Sequence, residues 1–273
     1  MAVITISRQV AALGDEIAAA LAKELGYAFI DRQKIEKRIM ELGIPEEKLK
    51  KYDERKPGFF ASLAKDRDEY LDCLQTAVLE AAARNNCILI GRGAYVILDE
   101  VPNRLALRFI SPNSVRIERL QREFSWNGKQ AQARISESDA NRAGFHKSFF
   151  NIAQEDPSYF HAVLNTGLLD VDGAVRFISR LLKEVIDEKR ETAGTAKLAE
   201  MLTAQELVNT LVFEHRLNVS FLRASIHGST VTLQGVADSS ALAERAVAIA
   251  KTKMPGYTVE SAISAVQDFR AYP

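Results

Sequence analysis

The first candidate site is a short loop between two apolar segments near the start of the chain. The pattern predicts a buried strand at 3–7 and an amphipathic helix at 15–25. Such a strand–loop–helix turn can bind phosphate, because backbone N–H groups at the helix start face the anion. The full motif GxxxxGK[ST] adds glycines for close approach, a lysine and a magnesium-binding hydroxyl. Here Gly14 remains, but Asp15 and Glu16 follow it. Judged by residue type, a capped turn is therefore favoured over a phosphate loop.

Arginine is the second residue type that could hold phosphate, because its planar fork pairs with two oxygens at once. Arg116, Arg119 and Arg122 lie three residues apart on a predicted helix and could point roughly to one side. Glu118 and Glu123 alternate with them, so a solvent-exposed face of ion pairs is an equal alternative.

Arg92 and the pair Asp139 and Arg142 are further charged residues that could belong to a functional site. Arg92 follows directly after the apolar run 87–90. Asp139 and Arg142 have the spacing of an i,i+3 pair on a helix, which predicts either an ordinary ion pair or a functional one.

Composition limits the classes of function. The chain has 273 residues, 47% hydrophobic and 26% charged, which is typical of a soluble protein with one large or two ordinary domains. Its 36 basic and 36 acidic residues cancel, so we expect no nucleic-acid partner. Cys73 and Cys87 exclude a disulfide scaffold or zinc ribbon, and no metal site is predicted. No signal peptide or transmembrane segment is apparent, so we expect a cytoplasmic protein with buried, reduced thiols.

The elements that would position these residues alternate between strand and helix. Apolar runs predict strands at 3–7, 27–30, 87–90, 105–110 and 162–165, with helices at 15–25, 68–84, from 113 and at 171–186. This order predicts an α/β fold: a parallel sheet with helices on both faces. Ligands bind such sheets at the carboxyl ends of the strands, so the loops after residues 7, 30, 90 and 110 are the expected site.

The pattern changes after residue 187. Charged and small residues predict a linker at 188–202 between a first domain, 1–187, and a second, 203–273. The second shows a helix at 204–216, a hairpin around Gly228-Ser229, a helix at 239–253 and a last strand at 257–266. This order predicts a small α+β unit.

Several blocks, in order, resemble the cytidylate kinase-like family. The run ITISRQVAALGDEIAAALAKELGYAFIDRQKI resembles its opening, which typically contains ISRQYGSGGREIA and a later YYDRE-type strand end. Gly91-Arg92-Gly93 resembles its GRD segment, and LALRFISPNSVRIERLQRE its strand and arginine-rich helix before the lid. Asp139-Ala140-Asn141-Arg142 resembles its DSxR segment, and SYFHAVLNTGLL its late strand. The resemblance covers about residues 3–186.

The resemblance implies a P-loop nucleoside monophosphate kinase fold. Such kinases move the γ-phosphoryl group of ATP, with magnesium, onto a monophosphate such as CMP, chiefly by positioning and cationic clamps. Matching positions imply binding of the acceptor by Asp31, Arg32, Arg92, Asp139 and Arg142. They imply lid-side catalytic roles for Arg116, Arg119 and Arg122.

The phosphate-loop positions depart from this pattern. They are Arg8, Ala11, Ala12, Leu13 and Gly14. The lysine and hydroxyl are missing, and Leu13 is expected to put a bulky side chain where a phosphate would rest. These losses argue against the conventional binding of ATP and magnesium, and neither is required for the fold.

Residues 203–267 resemble the BON domain, a small α+β module. The resemblance rests on TVTLQGV at 230–236, the helix AERAVAIAKTKMPGY and the closing strand. It implies binding of a membrane surface, a small ligand or another protein. The nearly balanced charge of the segment gives an anionic membrane little to attract.

Three functions follow as hypotheses. The first is a regulatory nucleotide- or phosphate-binding protein with a degenerate loop and weak or absent activity. The second is an active CMP-type kinase that uses lid arginines in place of the lysine. The third is an interaction scaffold that binds no nucleotide. The oligomeric state is left open.

Overall fold

The computed structural model describes residues 1–49 and 64–265. The chain forms two compact units. The first comprises Met1–Ser62 and Ala77–Lys197, and the second comprises Leu63–Thr76 and Leu198–Pro273. Within the described ranges, no helix combines the length and apolarity needed to cross a membrane.

The first unit is built on a five-stranded sheet in which every described pairing is parallel. Its strands are β1 (Val3–Arg8), β2 (Ala28–Ile30), β3 (Cys87–Ile90), β4 (Arg104–Ile110) and β5 (Ala162–Asn165). They lie in the order β2-β3-β1-β4-β5. The loop after β1 therefore lies at the middle of the carboxyl edge, where parallel sheets bind their ligands.

Helices flank this sheet. They are α1 (Gly14–Leu25), α2 (Arg32–Glu41), α3 (Glu46–Leu49), α4 (Ala64–Ala83), α5 (Ala94–Ile97), α6 (Asn113–Phe124), α7 (Gly128–Phe150) and α8 (Val171–Val185). A 3-10 turn covers Pro157–Tyr159. Residues in α4 belong to both units.

Alternation along the strands explains how the two faces of the sheet are covered. Ile4 and Ile6 of β1 face a core cluster that includes Ile17 of α1 and Ile178 of α8. Ala106 of β4 faces the opposite side, in a cluster with Tyr95 of α5 and Phe160. The predicted α/β fold, a parallel sheet with helices on both faces, is confirmed.

The segment 188–202, predicted as a linker, is helical, and the division between the two units falls within it, between Lys197 and Leu198. α9 spans Glu188–Asn209, and a π-helical turn follows at Thr210–Glu214. Gly194 is one of the small residues on which the linker prediction rested, and in the structure it allows close packing. A Cβ there would lie 2.0 Å from Oδ1 of Asn103, so only glycine allows this approach. Thr195 Oγ1 also accepts a hydrogen bond from Asn85 Nδ2 at 3.4 Å.

The second unit contains a three-stranded sheet. Its elements after α9 are β6 (Val219–His227), β7 (Thr230–Ala237), α10 (Ser240–Lys253) and β8 (Thr258–Ala265). β6 and β7 form the predicted hairpin, whereas β7 and β8 run parallel. Leu207 of α9, Leu233 of β7 and Ala250 of α10 share one buried cluster. An α+β unit with its own core is thus present.

Both cysteines are free and buried, as predicted, Cys73 in α4 and Cys87 in β3. Burial raises the pKa of each thiol to about 12. The two side chains are therefore neutral packing groups rather than nucleophiles.

Candidate functional site

The loop after β1 has a strained backbone. Ala11 and Leu13 lie in the left-handed region, with φ of 59° and 55°. Each costs about 1–2 kcal/mol for a residue other than glycine. The turn is closed by hydrogen bonds from Gln9 N to Phe109 O, at 3.0 Å, and from Ala12 N to Gln9 O, at 3.3 Å. The loop thus keeps a conformation suited to glycine after the glycines have been replaced.

The side chain of Leu13 packs against the core cluster beneath α1. Ala12, 1% exposed, is buried in the same cluster. Among the described residues, the first-turn N–H groups of Gly14, Asp15 and Glu16 have no hydrogen-bond partner. The expected obstruction by Leu13 is therefore not what the structure shows. Replacement of the glycines strains the backbone but leaves the helix start open to an anion.

A charged pair takes the place of the missing lysine. Nε and Nη2 of Arg8 each lie 3.2 Å from a carboxylate oxygen of Asp15. A Cβ on Gly14 would lie 2.6 Å from Cβ of Arg8, so the remaining glycine is required by this approach. The loop therefore presents a paired carboxylate where the motif has a free cation.

Arginines of α6 hold the carbonyl groups of the loop. Nε of Arg116 donates to Val10 O at 2.9 Å, and Nη1 of Arg119 donates to Ala11 O at 3.0 Å. Thr166, which follows β5, donates to Ala12 O at 3.0 Å. Three consecutive carbonyls of the loop are thus fixed by side chains of α6 and of the residue that follows β5. Thr166 was not predicted as a site residue, although it ends the LNT run of the predicted late strand.

Arg122 does not join the other two arginines. Its side chain is 75% exposed and pairs with Glu118 at 2.6 Å. Residues i and i+6 lie about 120° apart around a helix, so Arg122 faces away from the side of Arg116. The expectation of three arginines on one side is wrong for Arg122, and the ion-paired alternative applies to it.

Asp139 pairs with Arg116 rather than with Arg142. Nη1 and Nη2 of Arg116 lie 2.9 and 2.8 Å from the two carboxylate oxygens. Nη1 of Arg142 instead donates to Ser138 Oγ at 2.8 Å. The predicted i,i+3 pair is therefore replaced by a bidentate pair between α6 and α7, which fixes Arg116 against the loop.

Arg92 and Arg32 meet on one carboxylate. Glu36 of α2 accepts from Nη2 of Arg92 and, at 2.7 Å, from Nε of Arg32. Arg92 is 2% exposed, and its guanidinium lies 6.0 Å from the ring centre of Phe145. Asp31 has a local role: it caps α2 by accepting from Lys34 N at 2.9 Å. The structure thus brings two predicted residues together and places Asp31 at a helix start.

Sequence reasoning missed Arg108. This residue lies in β4, is 5% exposed and donates through Nη1 to Ser7 Oγ at 3.1 Å. Burial lowers the pKa of its guanidinium. The available signal was an arginine inside an otherwise apolar strand, LALRFI.

The site does not fit magnesium as a conventional phosphate loop does. No serine or threonine follows Gly14. In the described part of the chain, no three His, Cys, Asp or Glu side chains are grouped so that they could hold a metal ion. The open N–H groups of α1 do fit phosphate oxygens.

Comparisons with known proteins agree with this fold. The model of the cytidylate kinase-like family matches residues 3–168. A cytidylate kinase from Methanocaldococcus jannaschii is 29% identical over 122 residues, which cover 44% of this chain and 67% of that protein. The crystal structure of an uncharacterised protein from Eubacterium ventriosum matches with a TM-score of 0.55 at 18% identity, covering 67% of this chain and 98% of that one. A shikimate kinase from Bacteroides thetaiotaomicron has a TM-score of 0.41 at 17% identity, over 67% and 98%.

Proposed function

Because this chain belongs to the cytidylate kinase-like family, we propose that its first unit binds the phosphate groups of a nucleotide and transfers phosphoryl groups slowly or not at all. In this proposal the protein acts in the cytoplasm by binding, as a regulator, rather than by turnover. The family match over residues 3–168 and the open start of α1 support the binding part.

The Arg8–Asp15 pair carries the second part of the proposal. The pair places a carboxylate, 3.2 Å from its arginine, directly after Gly14. A nearby carboxylate repels a phosphate tail, and the missing lysine cannot neutralise its charge. Loss of one such clamp costs about 3 kcal/mol of transition-state stabilisation, or a rate lower by roughly a hundredfold. ATP would therefore bind through backbone N–H groups alone and turn over poorly.

The predicted acceptor residues keep their roles in this proposal. Arg92 and Arg32 would hold the monophosphate once it displaces Glu36, and Arg142 would approach it from α7. Asp31 and Asp139 would position these groups, through the start of α2 and through Arg116. Arg92 and Arg32 already pair with Glu36, so binding exchanges one anion for another at these two residues and is expected to be weak.

An active kinase is the second candidate, and one observation favours it. Arg116 and Arg119 lie within 3.0 Å of loop carbonyls, so two cations already border the place of the missing lysine. A small shift of either side chain toward the phosphates would supply the absent charge.

Binding and turnover measured on the same protein separate the candidates. We expect calorimetry with ATP and with CMP to show saturable, weak binding, and a coupled assay with magnesium to show little CMP-dependent ADP release. Arg92→Ala should abolish CMP binding, whereas Arg122→Ala, an exposed control, should leave it unchanged. Rapid ADP release that Arg119→Ala abolishes would favour the active kinase. Absence of binding to both nucleotides at millimolar concentration would favour the scaffold.

A gain-of-function variant tests the cause directly. The double substitution Asp15→Lys with Glu16→Ser supplies the lysine and hydroxyl of the motif after Gly14. We expect tighter binding of magnesium and ATP by at least about tenfold, since one charge-assisted contact contributes about 1.5–3 kcal/mol. An unchanged affinity in a folded variant would show that the loop does not contact the phosphates.

We also propose that the second unit is a BON-like binding module for a small ligand or a protein. A cavity of about 690 Å³ within this unit supports the proposal; Asp72, Phe213, Arg216 and Phe221 are among its lining residues. A small-molecule screen by NMR on the full chain tests it. Hits should shift signals of these residues and be lost in Phe221→Ser, whereas a screen without hits would contradict the small-ligand form.

A further inference from the structure

A second cavity lies in the first unit, beside β4 and β5. Its volume is about 420 Å³, and its lining includes Gln9, Arg108, Ser111, Glu155, Val163 and Asn165. Arg108 is the cation of this lining. The cavity opens at the carboxyl edge of the sheet, where ligands of parallel sheets bind.

Arg108 is buried without the partner that a buried charge requires. Its side chain donates to Ser7 Oγ at 3.1 Å and lies 5.6 Å from the ring centre of Phe160. In the described residues no carboxylate lies within ion-pair distance of it; the charges of Glu155 and Asp139 act on it from farther away, and Asp139 is already paired with Arg116. A guanidinium carries five N–H groups, and a single described acceptor uses one of them. Arg108 is one of the residues that line the cavity, so a ligand there can reach its guanidinium.

Arg104 is a buried arginine of the same strand and serves as a comparison for Arg108. It lies four residues earlier in β4, on the same face and 6% exposed. Its Nη1 donates to Tyr95 O at 2.5 Å, and its Nη2 lies 2.7 Å from Oδ1 of Asp99. Arg104 thus has a carboxylate within ion-pair distance, whereas Arg108 has none among the described residues.

We propose that Arg108 and the cavity beside β5 form an oxyanion subsite, distinct from the open N–H groups at the start of α1, that takes a phosphate or carboxylate group of a small ligand. The planar guanidinium would pair with two oxygens of the anion. The Asn165 amide and the Ser111 hydroxyl, both in the cavity lining, offer neutral donors beside it. The bound anion replaces the missing carboxylate and removes the cost of burying an unpaired charge.

Glu155 provides a test of the charge of the ligand. It is an exposed residue of the cavity lining, and its charge acts on Arg108. An exposed carboxylate near the anion weakens binding, so Glu155→Gln should tighten it by about twofold to fivefold. A weaker affinity in this variant would contradict the assigned charge of the ligand.

The subsite can be tested by titrating the full chain with inorganic phosphate and with acetate while the arginine Nε–Hε signals are recorded by NMR. The signal lost in Arg108→Met identifies Arg108, and the signal lost in Arg104→Met identifies an internal control. We expect one or both anions to move the Arg108 signal saturably and to leave the Arg104 signal in place. Which anion acts distinguishes a phosphate ligand from a carboxylate ligand. If neither moves the Arg108 signal at 20 mM (roughly 2 kcal/mol of binding), the proposal is wrong.

Thermal unfolding without added anion gives an independent readout. Arg108→Met removes a buried charge that has no ion pair and should leave the melting temperature unchanged or higher. Arg104→Met should lower it, because the Tyr95 carbonyl loses its buried donor and Asp99 loses its ion pair. Equal losses in the two variants would make Arg108 a structural residue. Failure of nucleotide binding at the loop would leave the Arg108 titration intact, so the two proposals fail separately.

Discussion

Asp72→Asn should stabilise the second unit at neutral and alkaline pH. Asp72 lies in α4 and is 8% exposed. Burial, and then the nearby charge of Asp68, raise the pKa of its carboxyl from 3.8 to about 7. A shift of about 3 units corresponds to about 4 kcal/mol between the two protonation states.

The direction in which stability changes with pH follows from proton binding. Between pH 4 and pH 7 the folded chain holds a proton on Asp72 that the unfolded chain has released. The free energy of unfolding contributed by this group therefore falls as pH rises from about 4 to about 7. An asparagine has no proton to release. The variant should exceed the parent by about 1 kcal/mol near pH 4.5 and by up to about 4 kcal/mol at pH 8.

Urea denaturation followed by circular dichroism, repeated between pH 4.5 and pH 8, measures this difference. Glu214→Gln is the matched control, because Glu214 is an exposed carboxylate of the same unit that pairs with Lys253 at 3.3 Å. That variant should lose about 1 kcal/mol or less at pH 8. The reasoning is refuted if Asp72→Asn destabilises the protein at pH 8, or if its effect is the same at both ends of the range.

Three further predictions concern the first unit. Arg116→Met should lower the free energy of unfolding by about 2 kcal/mol, and adding Asp139→Asn should recover part of the loss in a double-mutant cycle; additive effects would deny the pairing. His161 accepts a hydrogen bond from Ala106 N at 2.9 Å, and burial lowers its pKa from 6.5. Stability contributed by the neutral ring is therefore lost as pH falls below about 6.5, and His161→Gln should flatten that part of a melting-temperature profile, whereas a parallel profile would contradict this. Leu13→Gly should change stability by about 1 kcal/mol or less, since relief of backbone strain offsets lost burial, and should leave ATP affinity in calorimetry within about twofold. Tenfold tighter binding would show that Leu13 occupies the phosphate space.

Local pattern was enough to predict the strands of the parallel sheet and the loops that form the candidate site. Apolar runs of four to six residues predicted the five strands described in the first unit, because strands of a parallel sheet are rich in apolar residues. The loop after β1 and Arg92 after β3 follow from the same reasoning, since carboxyl ends of parallel strands share one edge. The absence of lysine and hydroxyl after Gly14 is likewise a property of the sequence alone.

Tertiary structure decided which charges meet. Arg116 contacts Asp139, which is 23 residues away, and the carbonyl of Val10, which is 106 residues away. No local sequence pattern encodes such partners. Gly194 contributed to the linker prediction as a small residue, because the sequence alone does not show that it packs against the distant Asn103. Leu13 was expected to block the loop, but the left-handed backbone turns its side chain into the core. Arg108 and Arg104 are arginines on the same face of the same strand. Only the tertiary structure gives Arg104 a carboxylate partner and places Arg108 in the lining of a cavity.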